Sequence, residues 1–309
     1  MTRRPRFPER LNALPLAELY EELGRTGLIR RALELARDED LGPGERDATG
    51  EVVAAGRGDE VVRMVIRARE RGVLCGARPL VDLASVFAGI EVAPEFDDGR
   101  PFDAGETVAR VSGTRSAIVR AERTILNVLG RLSGVATRAS AFVGAAGDGA
   151  ALLYDTRKTT PGLRVLEKYA VRCGGACCHR LGLHDAVLIK DNHLAGLSSD
   201  GIAALVARAR SAPDVSFVEV EVDTLEQLDA ILALPAERPD VVLLDNMSPA
   251  ELREAVVRRD ARAPGVSLEA SGGVTLDSVG AIAATGVDRV SVGSITRDAT
   301  WIDFGLDAG

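Results

Sequence analysis

From residue 151 onward the chain alternates short apolar runs with amphipathic segments, and this alternation limits its possible folds more than any other feature. Six runs, ALLYDT, DAVLIK, SFVEVEV, DVVLLD, VSLEAS and DRVSVG, follow one another through the second half of the sequence. Most are separated by segments with recognisable helix starts. Thr224 is followed by Gln227, and Ser248 by Pro249 and Glu251; both read as capping boxes, the second with proline at the first helical position. Thr275 is placed to cap the last helix and Gly286 to end it. Near-continuous apolar strands alternating with amphipathic helices predict a parallel sheet buried on both faces. Six or seven such units suit a small closed β/α barrel, with an open doubly wound sheet as the alternative.

The residues at the ends of those runs separate a scaffold from a catalyst. In order they are Asp155 with Arg157 and Lys158, then Lys190, Glu221, Asp245, Ser271-Gly272-Gly273 and Gly293. In a β/α barrel these ends converge on one mouth, where active sites are built. The cations there can hold carboxylates and phosphates. Glu221 and Asp245 can accept hydrogen bonds from sugar hydroxyls or ligate Mg²⁺ through hard oxygens. The SGG ahead of Thr275 and the VGS at the last strand offer backbone N–H groups to a phosphate.

Charge points the same way. The stretch from Tyr154 to Leu194 also carries Arg164, Lys168, Arg172 and Arg180, with His179 and His193 beside them, in a chain of net charge −8. Basic residues crowded into one stretch of an acidic protein imply a local site for a small anion, not a nucleic-acid surface. Arg164, Lys168 and Arg172 recur every fourth residue and predict a solvated helix face. Aromatics are only 4% of the chain, which argues against stacked bases. No apolar run is long enough for a membrane span. The N-terminus lacks the apolar core of a secretory signal, and Pro5, Pro8 and Pro15 predict a flexible arm. Three of the four cysteines (Cys75, Cys173, Cys177, Cys178) fall within six residues. That is a poor disulfide framework and fits a reducing cytoplasm.

The first 147 residues read as a small α/β domain ahead of a barrel domain over 148–309, whose last residues can pack back on the first. Leu16–Asp40 is predicted helical, and DLGPGERDATG breaks it. VVRMVIRARERGVLCG predicts paired strands turning at Gly72, followed by a short helix over Arg78–Ala88. Further strands are expected at GIEVAPEF and ETVARVSG. The longest helical pattern runs from Thr114 to about Gly147, with Ile118, Ile125, Leu129 and Leu132 as its apolar stripe. Arg123 and Asn127 share one flank of it. Periodicity alone favours a surface ion pair for Arg123.

Taken together, YDTRKTTPGLRVLEKYAVRCGG, HRLGL, LIKDNH, VEVEVDTLEQLD, LLDN, SGGV and GVDRVSVGSIT resemble the quinolinate phosphoribosyltransferases, type II phosphoribosyltransferases that make nicotinate mononucleotide. EDLGPG, GVLCG and AERTILNVLGRLSGVAT extend the resemblance over nearly the whole chain. It implies an N-terminal α/β sandwich followed by a six- or seven-stranded β/α barrel. It also implies a homodimer, in some members a hexamer, with each barrel mouth completed by the partner. The reaction implied joins quinolinate and phosphoribosyl pyrophosphate, with Mg²⁺, to give nicotinate mononucleotide, pyrophosphate and carbon dioxide. By motif, Arg123 would reach a neighbouring subunit's substrate, while Arg157, His179, Arg180 and Lys190 would line the quinolinate site. Lys158 would lean toward the pyrophosphate, and Glu221 and Asp245 would hold the ribose hydroxyls and the metal. Ser271, Gly272, Gly273 and Gly293 would cradle the 5′-phosphate. Lys158, Lys190, Glu221 and Asp245 are then the catalytic candidates.

One segment departs from the family pattern. Where that pattern has GGG-x-NHR, this chain has Gly174-Gly175-Ala176-Cys177-Cys178-His179-Arg180. A thiol is a weaker donor and acceptor than the amide it replaces. Three readings stay open: a tolerated change in a loop supporting His179, retuning toward another heteroaromatic acid, or soft-ligand chemistry by Cys173, Cys177, Cys178 and His179. The last lacks a standard zinc spacing. A transport-associated relative without transfer activity is the rival of another class. The intact TRKTTPG and IKDNH argue against it.

Overall fold

In a computed structural model of the chain, residues 7–53, 60–147, 149, 151–194, 196–234 and 238–309 are described. They divide into two compact units. One comprises Pro15–Ser140, Thr159–Gly175 and Asp298–Gly309; the other comprises the segment ending at Leu14, Ala141–Lys158 and Ala176–Arg297.

The first unit is built on antiparallel strands: β1 (Val61–Ala68), β2 (Gly72–Val73), β3 (Ile90–Pro94), β4 (Pro101–Phe102) and β5 (Thr107–Thr114). The final strand of the chain, Phe304–Ala308, pairs with β1, and the sheet runs in the order Phe304–Ala308, β1, β5, β3. The expected pairing of β1 with the segment after Gly72 does not form. β1 pairs with β5, which matches its eight residues, and the two-residue β2 pairs with β4. The helix expected over Leu16–Asp40 is two helices, Leu16–Gly24 and Leu28–Leu41, with Gly27 between them at φ 71°. A side chain would strain that left-handed turn. Of the expected N-terminal arm, residues 1–6 lie outside the described residues, and Phe7–Ala13 is helical.

The long helix runs Arg115–Ala146, and the Thr114 hydroxyl accepts from Ala117 N–H at its start. Ile118, Ile125, Leu129 and Leu132 of its predicted stripe are all buried. The solvated face predicted for Arg164, Lys168 and Arg172 is not found. Lys168 is wholly buried and the two arginines are half-buried on the helix Arg164–Cys173. Spacing puts three residues on one side of a helix; only packing decides whether that side meets water. The neighbouring Glu167 is also buried and accepts from Arg131 at 2.6 and 2.9 Å and from Thr160 N–H at 3.0 Å.

The second unit carries the strands foreseen in the alternating half: β6 (Leu152–Tyr154), β7 (Val187–Ile189), β8 (Val218–Val222), β9 (Val241–Asp245), β10 (Ser267–Ser271) and β11 (Arg289–Ser291). The final strand Phe304–Ala308 completes the count as β12. The six form one parallel sheet in the order β6-β11-β10-β9-β8-β7. Successive strands are neighbours and the first rejoins the last, which is the cyclic order of a barrel parted between β6 and β7. On that side of β6 a single bridge residue, Cys177 opposite Tyr154, holds a seventh position. All three anticipated caps form: Thr224 with Gln227, Ser248 with Glu251, and Thr275 with Ser278.

The strands are less uniformly apolar than their runs imply. Val218, Val220 and Val222 alternate with Glu219 and Glu221, and Leu268 and Ala270 alternate with Ser267, Glu269 and Ser271. With a period of two, each strand turns one face of polar residues toward its partners on the same side of the sheet.

Candidate active site

That polar face holds a buried charge cluster assembled from four segments. His179 Nε2 lies 3.1 Å from Glu219 and 3.2 Å from Glu269, and Arg289 Nε lies 2.8 Å from the other oxygen of Glu269. Both glutamates are fully buried. These are close charge contacts that lack the alignment of hydrogen bonds. The Arg289 guanidinium lies over the Tyr154 ring at 3.9 Å, and the His179 ring meets Phe217 edge-on. Burial alone would raise the Glu269 pKa. The charges of His179 and Arg289 reverse this and hold it down at about 2. For His179, burial pushes downward and the charges of Glu269 and Glu219 overturn it, so its pKa is raised. One contact opposes that rise. His179 Nδ1 accepts from Arg180 N–H at 2.8 Å, which requires the ring proton on Nε2, toward the carboxylates.

Around this cluster the backbone from Cys177 to Gly182 is clamped residue by residue. Cys177 N–H donates to Leu153 O, Cys178 N–H to Asn12 Oδ1, and His179 N–H to Asp155 Oδ1. Leu181 and Gly182 N–H both donate to the Asp185 carboxylate. Asp155, expected at the mouth as a strand-end charge, is wholly buried and serves as a clamp for His179.

Beyond the clamp lies the mouth. Arg180 is half-buried, and its pKa is lowered, first by burial and next by the charge of Arg157. Two guanidiniums held within each other's field are a standing invitation to an anion. Lys190 Nζ sits 3.1 and 3.3 Å from the two oxygens of Glu221. Asp245 ends β9; its carboxyl pKa is raised by burial and by Asp223, while Lys190 and Lys158 pull it back. Lys158 thus acts on Asp245 in the same sense as Lys190, through charge. Its aliphatic chain passes over Gly293, where a Cβ would lie 2.8 Å from Lys158 Cδ. A residue with a side chain there would displace the lysine. Ser271 is level with Asp245 in the sheet, and Gly272 and Gly273 follow at positive φ, opening the way to Thr275. The helix after Gly293 is only four residues, Ser294–Arg297.

Arg157, Lys158, His179, Arg180, Lys190, Glu221, Asp245, Ser271, Gly272, Gly273 and Gly293 all belong to the second unit, and Arg123 to the first. Arg123 and Asn127 are exposed on the long helix, and Arg123 makes no ion pair among the described residues. The acidic partner that periodicity favoured is absent there.

Sequence reasoning missed Glu219, Glu269 and Arg289. The signal was the alternation VEVEV, in which the first glutamate repeats the second one level deeper. Cys173, Cys177 and Cys178 are buried free thiols, and they are not drawn together around His179. Among the described residues, the ligand-type group that does meet is His179, Glu219 and Glu269, whose donor atoms lie within 4.8 Å of one another. Arg289 and His179 already offset its two carboxylates. Glu221 and Asp245 present hard oxygens beside the exposed mouth, a donor set suited to Mg²⁺ shared with substrate phosphates.

Family models described as quinolinate phosphoribosyl transferase match residues 47–133 (N-terminal domain) and 135–307 (C-terminal domain). The chain is 45% identical over 282 residues to a nicotinate-nucleotide pyrophosphorylase [carboxylating] of Mycobacterium leprae, covering 90% of this chain and 95% of that one. A rat protein of the same name is 38% identical over 251 residues, covering 81% and 82%. The solved nicotinate-nucleotide pyrophosphorylase of Francisella tularensis superposes with a TM-score of 0.82 at 34% identity, over 97% of this chain and 99% of that one.

Proposed function

The chain belongs to the quinolinate phosphoribosyltransferase family and converts quinolinate and phosphoribosyl pyrophosphate to nicotinate mononucleotide, pyrophosphate and carbon dioxide, and we propose that its strand-end cations and carboxylates carry that reaction. The observation that best supports this is the pairing of Lys190 with Glu221 at the ends of the neighbouring strands β7 and β8, with Asp245 at the end of β9 within the field of Lys190 and Lys158.

Arg157 and Arg180 bind the two quinolinate carboxylates, each charge-assisted contact relieving their mutual repulsion. Lys190 leaves Glu221 for the substrate carboxylate, which frees Glu221 for the ribose hydroxyls. Lys158, laid over Gly293, faces the departing pyrophosphate. Departure builds positive charge at the ribose C1, and Glu221 and Asp245 favour it electrostatically from fixed positions. The ring nitrogen then bonds to C1, and the positive charge of the resulting pyridinium stabilises the electron pair left on the ring carbon when the adjacent carboxylate departs as carbon dioxide; a proton from solvent water then bonds to that carbon and completes nicotinate mononucleotide. No protein nucleophile is needed; positioning and fixed charge do the work. Mg²⁺, held by Glu221 and Asp245 when bound, supplies charge neutralisation for the pyrophosphate. Ser271, Gly272 and Gly273 offer backbone N–H groups to the 5′-phosphate.

A homodimer in which Arg123 of one chain completes the mouth of the other fits the exposed, unpaired state of that arginine. Four buried cysteines outside any disulfide support a cytoplasmic setting, and no helix among the described residues is long and apolar enough to cross a membrane. The deciding assay incubates the purified protein with phosphoribosyl pyrophosphate, Mg²⁺ and either quinolinate or nicotinate. Nicotinate mononucleotide and carbon dioxide should form in equal amounts from quinolinate. Turnover of nicotinate alone would sink the reading.

A further inference from the structure

We propose that Asn12, on the N-terminal helix Phe7–Ala13, is a positioning residue for the His179–Arg180 pair and acts by clamping the backbone of Cys178. This rests on the reading of that pair as part of the quinolinate site. Asn12 lies ahead of residue 47, where the family match begins.

Cys178 is wholly buried. A buried backbone N–H and C=O must each find a partner, and a neighbouring strand usually supplies both. Here strand pairing stops one residue too early: Cys177 bridges β6, donating to Leu153 O and accepting from Asp155 N–H. At Cys178 the partner is a side chain. Asn12 Oδ1 accepts from Cys178 N–H at 2.7 Å, and Asn12 Nδ2 donates to Cys178 O at 3.0 Å. A carboxamide carries the same donor and acceptor as a peptide group. Asn12 thus supplies one further residue of strand edge from the N-terminal segment, within the same compact unit.

The next backbone groups along are the ones that matter to the site. His179 N–H is held by Asp155, and Arg180 N–H by the His179 ring. With the Asn12 contacts in place, every N–H from Cys177 to Gly182 has a fixed acceptor, and the Arg180 guanidinium is aimed from a rigid mount, donating to Ala186 O at 3.2 Å. Without them, the Cys178 N–H and C=O lose the Asn12 contacts, and opening of the loop to water becomes less costly. Opening displaces His179 and Arg180. The strand ends that carry Lys158, Glu221 and Asp245 do not depend on it.

The test is steady-state kinetics and amide hydrogen exchange on the full-length protein and its Asn12→Ala and Asn12→Asp variants. In Asn12→Ala the KM for quinolinate should rise by about tenfold, the scale expected for unsatisfied buried groups, while the KM for phosphoribosyl pyrophosphate stays put. Peptides covering residues 176–181 should exchange faster. Asn12→Asp keeps the acceptor but turns an oxygen toward Cys178 O, so it too should raise the quinolinate KM. Equal rises in both KM values would assign Asn12 a general structural role and overturn the proposal, as would an Asp variant behaving like wild type. Unchanged exchange at 176–181 removes the clamp whatever the activity. Wild-type protein inert toward quinolinate would instead sink the functional reading and leave the exchange result standing.

Discussion

The two sheets of this protein treat charge in opposite ways. The antiparallel sheet wears its ion pairs outside: Arg69 with Asp307, Arg110 with Glu95, and Arg115 with Glu60, each arginine 44–63% exposed. The parallel sheet takes charge inside, with Glu219 and Glu269 fully buried and Arg289 and His179 about a tenth exposed or less. Exposed pairs gain little, because water already solvates both partners. Buried ones cost desolvation and are held only by one another. A sheet built for stability alone would fill that interior with aliphatic side chains. Here Glu219 lies one level below Glu221 on β8, and His179 reaches both buried glutamates.

The contrast breaks first at Glu269. Glu269→Ala leaves Arg289 buried without its closest carboxylate and should cost about 3–5 kcal/mol of stability, read as a lowered denaturant midpoint. Arg110→Ala, in the antiparallel sheet, should leave that midpoint where it is. The acid limb gives a second readout. The folded-state pKa of Glu269, about 2, is below its ordinary value, so its contribution is present above pH 4.5 and lost as pH falls toward 2. Glu269→Gln should flatten that part of the profile. Equal midpoints for the Glu269 and Arg110 variants would erase the distinction between the sheets.

Arg157 sharpens the comparison by separating stability from chemistry. Arg157→Ala removes one charge-assisted contact to a carboxylate, about 1.5–3 kcal/mol, so kcat/KM should fall at least roughly tenfold while the unfolding midpoint holds. Wild-type kinetics would take Arg157 out of the site.

The smallest effect joins the two units. If Arg123 acts in the partner's mouth, Arg123→Ala and Arg157→Ala proteins, each impaired alone, should regain activity when mixed and allowed to exchange subunits. Half of the randomly formed dimers are mixed, each with one intact site of two, so recovery should approach roughly a quarter of wild type by the symmetry of the dimer. Proven exchange without recovery would confine Arg123 to its own chain.

Features governed by near neighbours could be read from the sequence. The six parallel strands, the three capped helices and the stripe of Ile118, Ile125, Leu129 and Leu132 follow from periods of 2 and 3.6 and from side chains that bond backbone two or three residues away. That Lys190, Glu221, Asp245 and Gly293 fall at strand ends was readable for the same reason, since a parallel sheet sends all such ends one way; that Asp155 is wholly buried was not.

Tertiary structure decided the rest, because burial and pairing depend on residues far apart in the chain. Nothing near Lys168 says that its helix is buried almost all round, and nothing near β1 says that its partners are β5 and the last strand of the chain. The sequence shows Glu219 and Glu269 only as acids in apolar runs. Their meaning appears where β8, β10, β11 and the loop at His179 meet, since a buried charge persists only where its opposite is brought to it. Asn12 shows the same limit most plainly: 166 residues separate it from Cys178, and only the fold makes it the missing edge of a strand.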